Sequence, residues 1–315
     1  MIIIRGLHNL PDIKSPLFIT IGNFDGLHLG HKKIIQSMKQ KAREKHAHTM
    51  VLSFFPHPLR VLNPSAQLGL LSTFRDKVRA LAKLEIDFLL FIRFTKQFSG
   101  LRAEDFIKEI LHKRLHIKKI FLGGYHTFGF NNRGSTALLH KSGEHYDFTV
   151  HKVDEVFVHG QRVSSSLIRT CLEEGRIKEA NDYLGRPYSL SGRVVHGSGR
   201  GKKLGYPTAN LAISNQLLPA AGVYVTKISF NKQIFEGLVN IGCRPTFKEN
   251  NTDTEKKTIL EIYIFNFEGN IYRQKISIEI LERLRPEIAF NSSSDLIQQI
   301  KIDISKAQQW MREKK

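Results

Sequence analysis

Apolar residues follow two different patterns along this chain. Up to about residue 183 they gather in short continuous runs, Leu17 to Gly22, Met50 to Phe55, Asp87 to Ile92 and Ile120 to Gly123. Between the runs lie stretches with helical spacing, such as that from Lys32 toward Lys45. Continuous apolar strands alternating with helices predict a mainly parallel sheet covered on both faces, the doubly wound α/β architecture. Its ligand crevice is expected beyond the strand C-termini. The opening Met1 to Gly6 reads as one more strand, because Arg5, His8 and Pro11 interrupt it before a secretory core could form.

The pattern changes at Leu184-Gly185-Arg186-Pro187, which reads as a linker and divides the chain into domains 1–185 and 186–315. Beyond it, β-rich runs recur at Ser189 to His196, Gly222 to Phe230, Ile234 to Ile241, Thr258 to Phe267 and Tyr272 to Leu281, with Gly, Pro or Asn between them. Short strands at this spacing predict an antiparallel barrel. Ser294 to Trp310 has helical periodicity and a serine-aspartate start, so a C-terminal helix packed on the barrel is expected.

Composition narrows this picture. The chain has 315 residues, enough for two cores. No stretch approaches the run of about 18 apolar residues that a membrane span requires, so a soluble protein without a membrane partner is expected. Cys171 and Cys243 are far apart and have no CxxC partner, which suits a reducing cytoplasm. The net charge of +19 would attract polyanions. The basic segments Lys39 to Lys45 and Lys113 to Lys119 lack the interleaved aromatics of a base-stacking surface, and nucleic acid is not an expected partner.

The most informative string is Gly22-Asn23-Phe24-Asp25-Gly26-Leu27-His28-Leu29-Gly30-His31, between the first long strand and a helix. Two imidazoles three residues apart lie on one face of a helix's first turn. Gly30 permits close approach to the backbone, and a helix N-terminus offers free N–H groups and a positive dipole. Nucleotidyl transfer needs such a corner, because negative charge builds on the α-phosphate and the departing pyrophosphate. Two surface histidines beside a glycine turn is the competing reading. Ser164-Ser165-Ser166 before Arg169 offers hydroxyls and a cation for phosphate oxygens, or simply a serine-capped helix. His57, in Phe55-Pro56-His57-Pro58, follows the second strand and is either a ligand contact or a loop residue fixed by prolines.

In the second domain, Gly192 to Asn210 is dense in glycine and cations. Gly197, Gly199, Gly201 and Gly205 can bring backbone N–H groups to phosphates, with Lys202 and Lys203 screening charge, although the spacing is not that of a P-loop. Thr208 and Asn210, two apart and after Pro207, would share one face of an extended segment. A hydroxyl and an amide oxygen there suit Mg2+ bound together with ATP phosphates, or they end a flexible glycine hairpin. Glu261, in Ile259-Leu260-Glu261-Ile262-Tyr263, is either a general base or the solvent-facing member of an alternating strand.

With these residues in view the chain resembles a known family. GNFDGLHLGH, FFPHP and VSSSLIR occur in the order found in the adenylyltransferase module of bacterial bifunctional riboflavin kinase and FAD synthetase enzymes. PTANL, GVYV, NIGCRPTF and LEIYIFNFEGNIY look like its riboflavin kinase module, again in order. The resemblance implies an HxGH nucleotidyltransferase-like, Rossmann-like first domain and a kinase barrel, with riboflavin, FMN and ATP as substrates. By similarity, His28 and His31 face the ATP phosphates, Ser164 to Ser166 and Arg169 complete that nucleotide site, Asn23, Phe24 and Asp25 line it, Thr208 and Asn210 hold Mg2+ and ATP, and Glu261 is the kinase base. Gly22 and Gly30 are carried as further ATP contacts and Arg169 as a catalytic residue with the two histidines. Where the family usually reads Gly-x-Asp-Phe-x-Phe-Gly, this chain has Gly123-Gly124-Tyr125-His126-Thr127-Phe128-Gly129, which alters the flavin pocket of the adenylyltransferase. Tyr125, His57 and Arg285 are carried as flavin-binding candidates. Two other readings compete: a working kinase joined to an impaired adenylyltransferase, suggested by Tyr125-His126, and a basic nucleic-acid-associated factor, suggested by the charge.

Overall fold

The apolar runs of the first half become the parallel strands β1 (Ile2–Arg5), β2 (Leu17–Ile21), β3 (His48–Phe55), β4 (Phe88–Arg93), β5 (Ile117–Gly123) and β6 (Thr149–Val153) in the computed structural model. The structure describes residues 1–65, 69–124, 127–130, 134–196, 201, 204–245, 256–290 and 292–314. The six strands form one sheet in the order β1-β4-β3-β2-β5-β6. Alternate residues supply two cores. Leu17, Ile19 and Ile21 of β2 join Leu52, Leu90, Phe106, Ile107 and Leu111 on one face, while Phe18 joins Val51, Phe121, Ile35 and Met38 on the other. The helix Leu29–Glu44 covers the second face and the π-type helical segment Phe106–His112 the first, so burial on both sides explains the unbroken apolar strands.

Strand β2 has β3 on one side and β5 on the other. After β2 the chain runs to β3 and β4 on one side, where β1 pairs with β4 at the edge, and then crosses past β2 to β5 and β6 on the other. The reversal places a crevice at the carboxyl end of β2, where Gly22 begins. A short hairpin of β7 (Phe157–Val158) and β8 (Gln161–Arg162) precedes the helix Ser165–Glu173.

The second half closes into an antiparallel barrel of β9 (Tyr188–Val195), β10 (Ala209–Ile213), β11 (Gly222–Phe230), β12 (Gln233–Pro245), β13 (Lys256–Ile264) and β14 (Lys275–Pro286), ordered β10-β13-β12-β11-β14-β9 and sealed by β9–β10 pairing. The C-terminal helix Ser293–Glu313 starts on Ser292, whose Oγ accepts from Asp295 N–H at 3.1 Å. It lays Ala307 and Met311 on Val223, Val225, Leu238 and Phe265 of the barrel wall.

Packing divides the chain into two compact units, residues 1–68 with 74–165, and residues 69–73 with 166–315. Within the second unit, Leu70 N–H donates to Asn215 O at 3.0 Å and Leu217 N–H to Leu70 O at 2.9 Å, so the short segment is strand-paired there. The helix Ile177–Leu184 ends at Gly185 (φ 61), just before β9, where the change of sequence pattern falls. The division by packing and the division by sequence pattern differ in where they put the helices of 166–184.

Candidate active sites

The glycine-histidine string leaves β2 as a tight, buried turn. Gly22 N–H donates to Leu52 O at 3.1 Å, and Phe24 (φ 49), Gly26 (φ 78) and Leu27 (φ 46) follow in left-handed conformations. Two non-glycine residues in that region are costly, and the burial of Phe24 and Leu27 in the core holds them there. The turn delivers His28 as the N-cap of the helix Leu29–Glu44, three residues before the helical spacing begins in the sequence, because an imidazole does the capping: its Nδ1 accepts from His31 N–H at 3.4 Å. Since Nδ1 accepts, the neutral ring carries its proton on Nε2, which is thereby a donor.

His28 and His31 stack, with ring centroids 3.6 Å apart and planes 20° from parallel, and Phe24 backs His31 at 5.0 Å. Gly30 gives this stack its room, because a Cβ there would stand 3.2 Å from the His28 ring and push it by a few tenths of an ångström. Burial pushes His28 down from 6.5 to about 4, with Asp25 opposing and Lys32 adding to the shift. His31 falls well below its ordinary value through burial, then the neighbouring His28, then Lys77. Both rings are therefore neutral at pH 7, and His31 Nδ1 is a buried atom without a hydrogen-bond partner. Each neutral ring keeps one N–H, which can donate to a phosphate oxygen.

Of the other residues expected here, Ser165 Oγ donates to Asp25 O at 3.0 Å, tying the 163–165 segment to the turn. Ser166 and Arg169 belong to the second unit, where Arg169 Nε donates to Gly69 O at 3.1 Å. His57 is a buried N-cap whose Nδ1 accepts from Leu59 N–H at 3.3 Å. Tyr125 and His126 lie outside the described residues. Sequence reasoning missed Lys77, whose Nζ donates to Asn23 O at 2.6 Å while the residue is only 8% exposed. Its signal was available, since Lys77 stands four residues before the buried Leu81 on the inward stripe of the helix Phe74–Ala82.

In the barrel, pairing registers place Asn210 opposite Glu261, Glu261 opposite Asn240, Asn240 opposite Val223 and Val223 opposite Arg285. This rung crosses five strands. Glu261, Asn240, Val223 and Arg285 line a cavity of about 280 Å³ together with Gly201, Tyr206, Thr208, Tyr263 and Glu287. The strand alternation is real, with Leu260 and Ile262 buried on the other side. Glu261 nevertheless does not face open solvent, because Leu296, Ile300 and Asp303 of the C-terminal helix line the same cavity.

Gly201 lets the chain fold tightly over Thr208: Tyr206 N–H donates to Gly201 O at 2.9 Å, and a Cβ on Gly201 would meet Thr208 Oγ1 at 2.8 Å. Gly205 needs its φ of 84. Pro207 is exposed. Gly197, Gly199, Lys202 and Lys203 lie outside the described residues. Arg285, proposed from sequence as a flavin contact, lines the cavity with its guanidinium held by Asp303, Nε to both carboxylate oxygens at 3.0 Å and Nη2 to Oδ2 at 2.8 Å. Gln299 adds a 2.9 Å bond to Asp303 Oδ1. Asp303, Glu287, Asn240 and Tyr263 were not foreseen as cavity residues.

A family model described as FAD synthetase matches residues 10–167, and one described as riboflavin kinase matches residues 184–311. The bifunctional riboflavin kinase/FMN adenylyltransferase of Buchnera aphidicola subsp. Schizaphis graminum is 40% identical over 96% of this chain and 97% of its own. The chain belongs to the bifunctional riboflavin kinase/FMN adenylyltransferase family. The Haemophilus influenzae member is 35% identical over 98% of both chains. The crystal structure of a protein named as a macrolide-efflux protein from Streptococcus pneumoniae superposes with a TM-score of 0.87 and 29% identity over 98% of this chain and 99% of that one. Among the described residues of this family member, no helix is long and apolar enough to cross a membrane.

Proposed function

We propose that the chain phosphorylates riboflavin to FMN in its barrel and adenylylates FMN to FAD in its N-terminal unit, using one ATP at each step. Functionally the division is 1–185 for the adenylyltransferase and 186–315 for the kinase. The observation that carries the reading is the stacked, neutral His28–His31 pair at the point where the parallel sheet reverses its strand order.

For the kinase, the Glu261 carboxylate accepts the proton of the terminal ribityl hydroxyl as its oxygen attacks the γ-phosphorus of ATP, and ADP leaves. The rung geometry supports this role, since Glu261 is paired in register with Asn210 and Asn240, and it shares with Asn240 a cavity that has an apolar side for a flat ring system. Thr208 and Asn210 offer the hard oxygen donors that Mg2+ favours, and they are the residues that would hold it with the nucleotide. The ion, when bound, neutralises phosphate charge. Gly201 packed against Thr208 fixes the approach of that segment to the cavity.

In the N-terminal unit, an FMN phosphate oxygen attacks the α-phosphorus of ATP and the bond to the β-phosphate oxygen breaks, releasing pyrophosphate. His28 Nε2–H and His31 donate to the oxygens that gain charge, and the N-terminal N–H groups of the helix Leu29–Glu44 add their partial positive charge. The cytoplasm, reducing and supplied with ATP, suits this chemistry and the free thiol of Cys171. The test separates the halves: Glu261→Gln should abolish FMN formation from riboflavin and leave FAD formation from added FMN intact, and His28→Ala should do the reverse. Loss of both products in either variant, with the fold intact, contradicts two independent sites.

A further inference from the structure

Lys77 is a buried lysine that the proposed chemistry does not use. It is 8% exposed, and its Nζ donates to Asn23 O at 2.6 Å, an oxygen that also accepts from Ser53 Oγ at 3.4 Å. Asn23 opens the turn in which Phe24 and Leu27 hold left-handed backbone, and five residues later the same chain delivers His28. An ammonium group donating to that carbonyl ties the turn to a helix more than fifty residues away in sequence. Charge points the same way. Burial lowers the proton affinity of Lys77, the buried Asp25 opposes that shift, and the Lys77 charge in turn acts on His31. A buried lysine is expensive unless its charge is used.

We infer that Lys77 is a positioning residue of the adenylyl-transfer site, its ammonium fixing the strained Asn23–Leu27 turn and, through it, the placement of His28 and His31 toward the phosphates. The inference rests on the proposed adenylyltransferase reading. A solely structural lysine would support the fold and nothing more. A positioning lysine also sets the electrostatics of the imidazoles, whose titratable and charged neighbours are each other, Asp25, Lys32 and Lys77.

The experiment uses the full chain, wild type beside Lys77→Met and Lys77→Arg. FAD formation from FMN and FMN formation from riboflavin are measured separately, with histidine-ring NMR titrations. Displacing the reacting groups by a fraction of an ångström to an ångström costs on the order of 10- to 100-fold in rate. Lys77→Met should therefore lose at least about tenfold in kcat for FAD formation, with little change in KM for ATP and an unaltered kinase rate. The His31 ring should titrate at higher pH than in wild type, because a cation beside it has gone. Lys77→Arg, which keeps the charge, should recover most of the rate and the wild-type titration, and it remains the informative variant if Lys77→Met does not fold.

A wild-type chain that makes no FAD overturns the adenylyltransferase reading itself. Wild-type FAD formation with an equally active Lys77→Met overturns the inference alone, as does an unshifted His31 titration or a parallel loss of both activities.

Discussion

Acidification is the sharpest perturbation of the N-terminal site. His28 is 6% exposed, and burial brings its ring from 6.5 to about 4 in the folded protein. Above pH 6.5 neither the folded nor the unfolded chain binds a proton there, and the contribution to stability is complete. Below it the unfolded chain takes up a proton that the folded ring refuses, and stability falls until the folded ring itself titrates near 4. At about 1.4 kcal/mol per pH unit the whole displacement amounts to about 3 kcal/mol, of which about 2 kcal/mol is lost between pH 7.5 and 5. Denaturant unfolding of the full chain at those two pH values, with His28→Gln as the comparison, measures it: wild type should lose about 2 kcal/mol more than the variant. NMR of labelled histidine, with the His28 signal assigned from the same variant, should show the ring neutral down to about pH 5. A His28 ring that titrates near 6.5, or an acid loss equal in the two proteins, would refute the reasoning. The same shift keeps both donors neutral across the physiological range, so FAD formation should show no loss of rate near pH 6.5 attributable to His28.

Gly30→Ala separates stability from chemistry. Alanine favours a helix by about 1 kcal/mol over glycine, yet the added Cβ meets the His28 ring at 3.2 Å; a chain as stable as wild type with slowed FAD formation and an unchanged kinase is expected, by thermal melting and product assay. Asp303→Asn leaves Arg285 without its buried carboxylate and should cost about 3 kcal/mol or more in denaturant unfolding of the barrel, with loss of riboflavin phosphorylation. Excess chelator should stop phosphorylation, and added Mg2+ should restore it, as followed by FMN fluorescence after chromatography.

Which parts of this were legible in the sequence follows from the physics of each segment. β2, β3 and β4 read directly because burial on both faces makes them uninterrupted apolar runs. β6 did not, since Thr149–Val153 is an edge strand with polar residues facing outward. β10 is five residues long and emerges from a glycine-rich stretch whose pattern is that of a loop. The doubly wound sheet, the barrel and the closing helix were all anticipated. His28 and His31 were found by their spacing and set on a helix's first turn, but His28 was not read as the cap itself, because histidine is not a usual cap and a glycine inside the first turn weakens the helical pattern before Lys32. Glu261 stood at an alternating position that open-strand logic assigns to solvent. The roof supplied by Leu296, Ile300 and Asp303 is a contact between segments more than thirty residues apart, which local pattern does not encode. Lys77 was passed over because a charged residue beside Asp76 reads as solvated, although its spacing from Leu81 sets it on the inward stripe of its helix.

The most direct measurement is chromatographic separation of the flavins formed when the purified chain is incubated with ATP, Mg2+ and either riboflavin or FMN. The account predicts FMN and then FAD from riboflavin, and FAD with pyrophosphate from FMN. FMN that accumulates from riboflavin with no FAD from either flavin would contradict the role given to His28 and His31, and no flavin product from either would contradict the account as a whole.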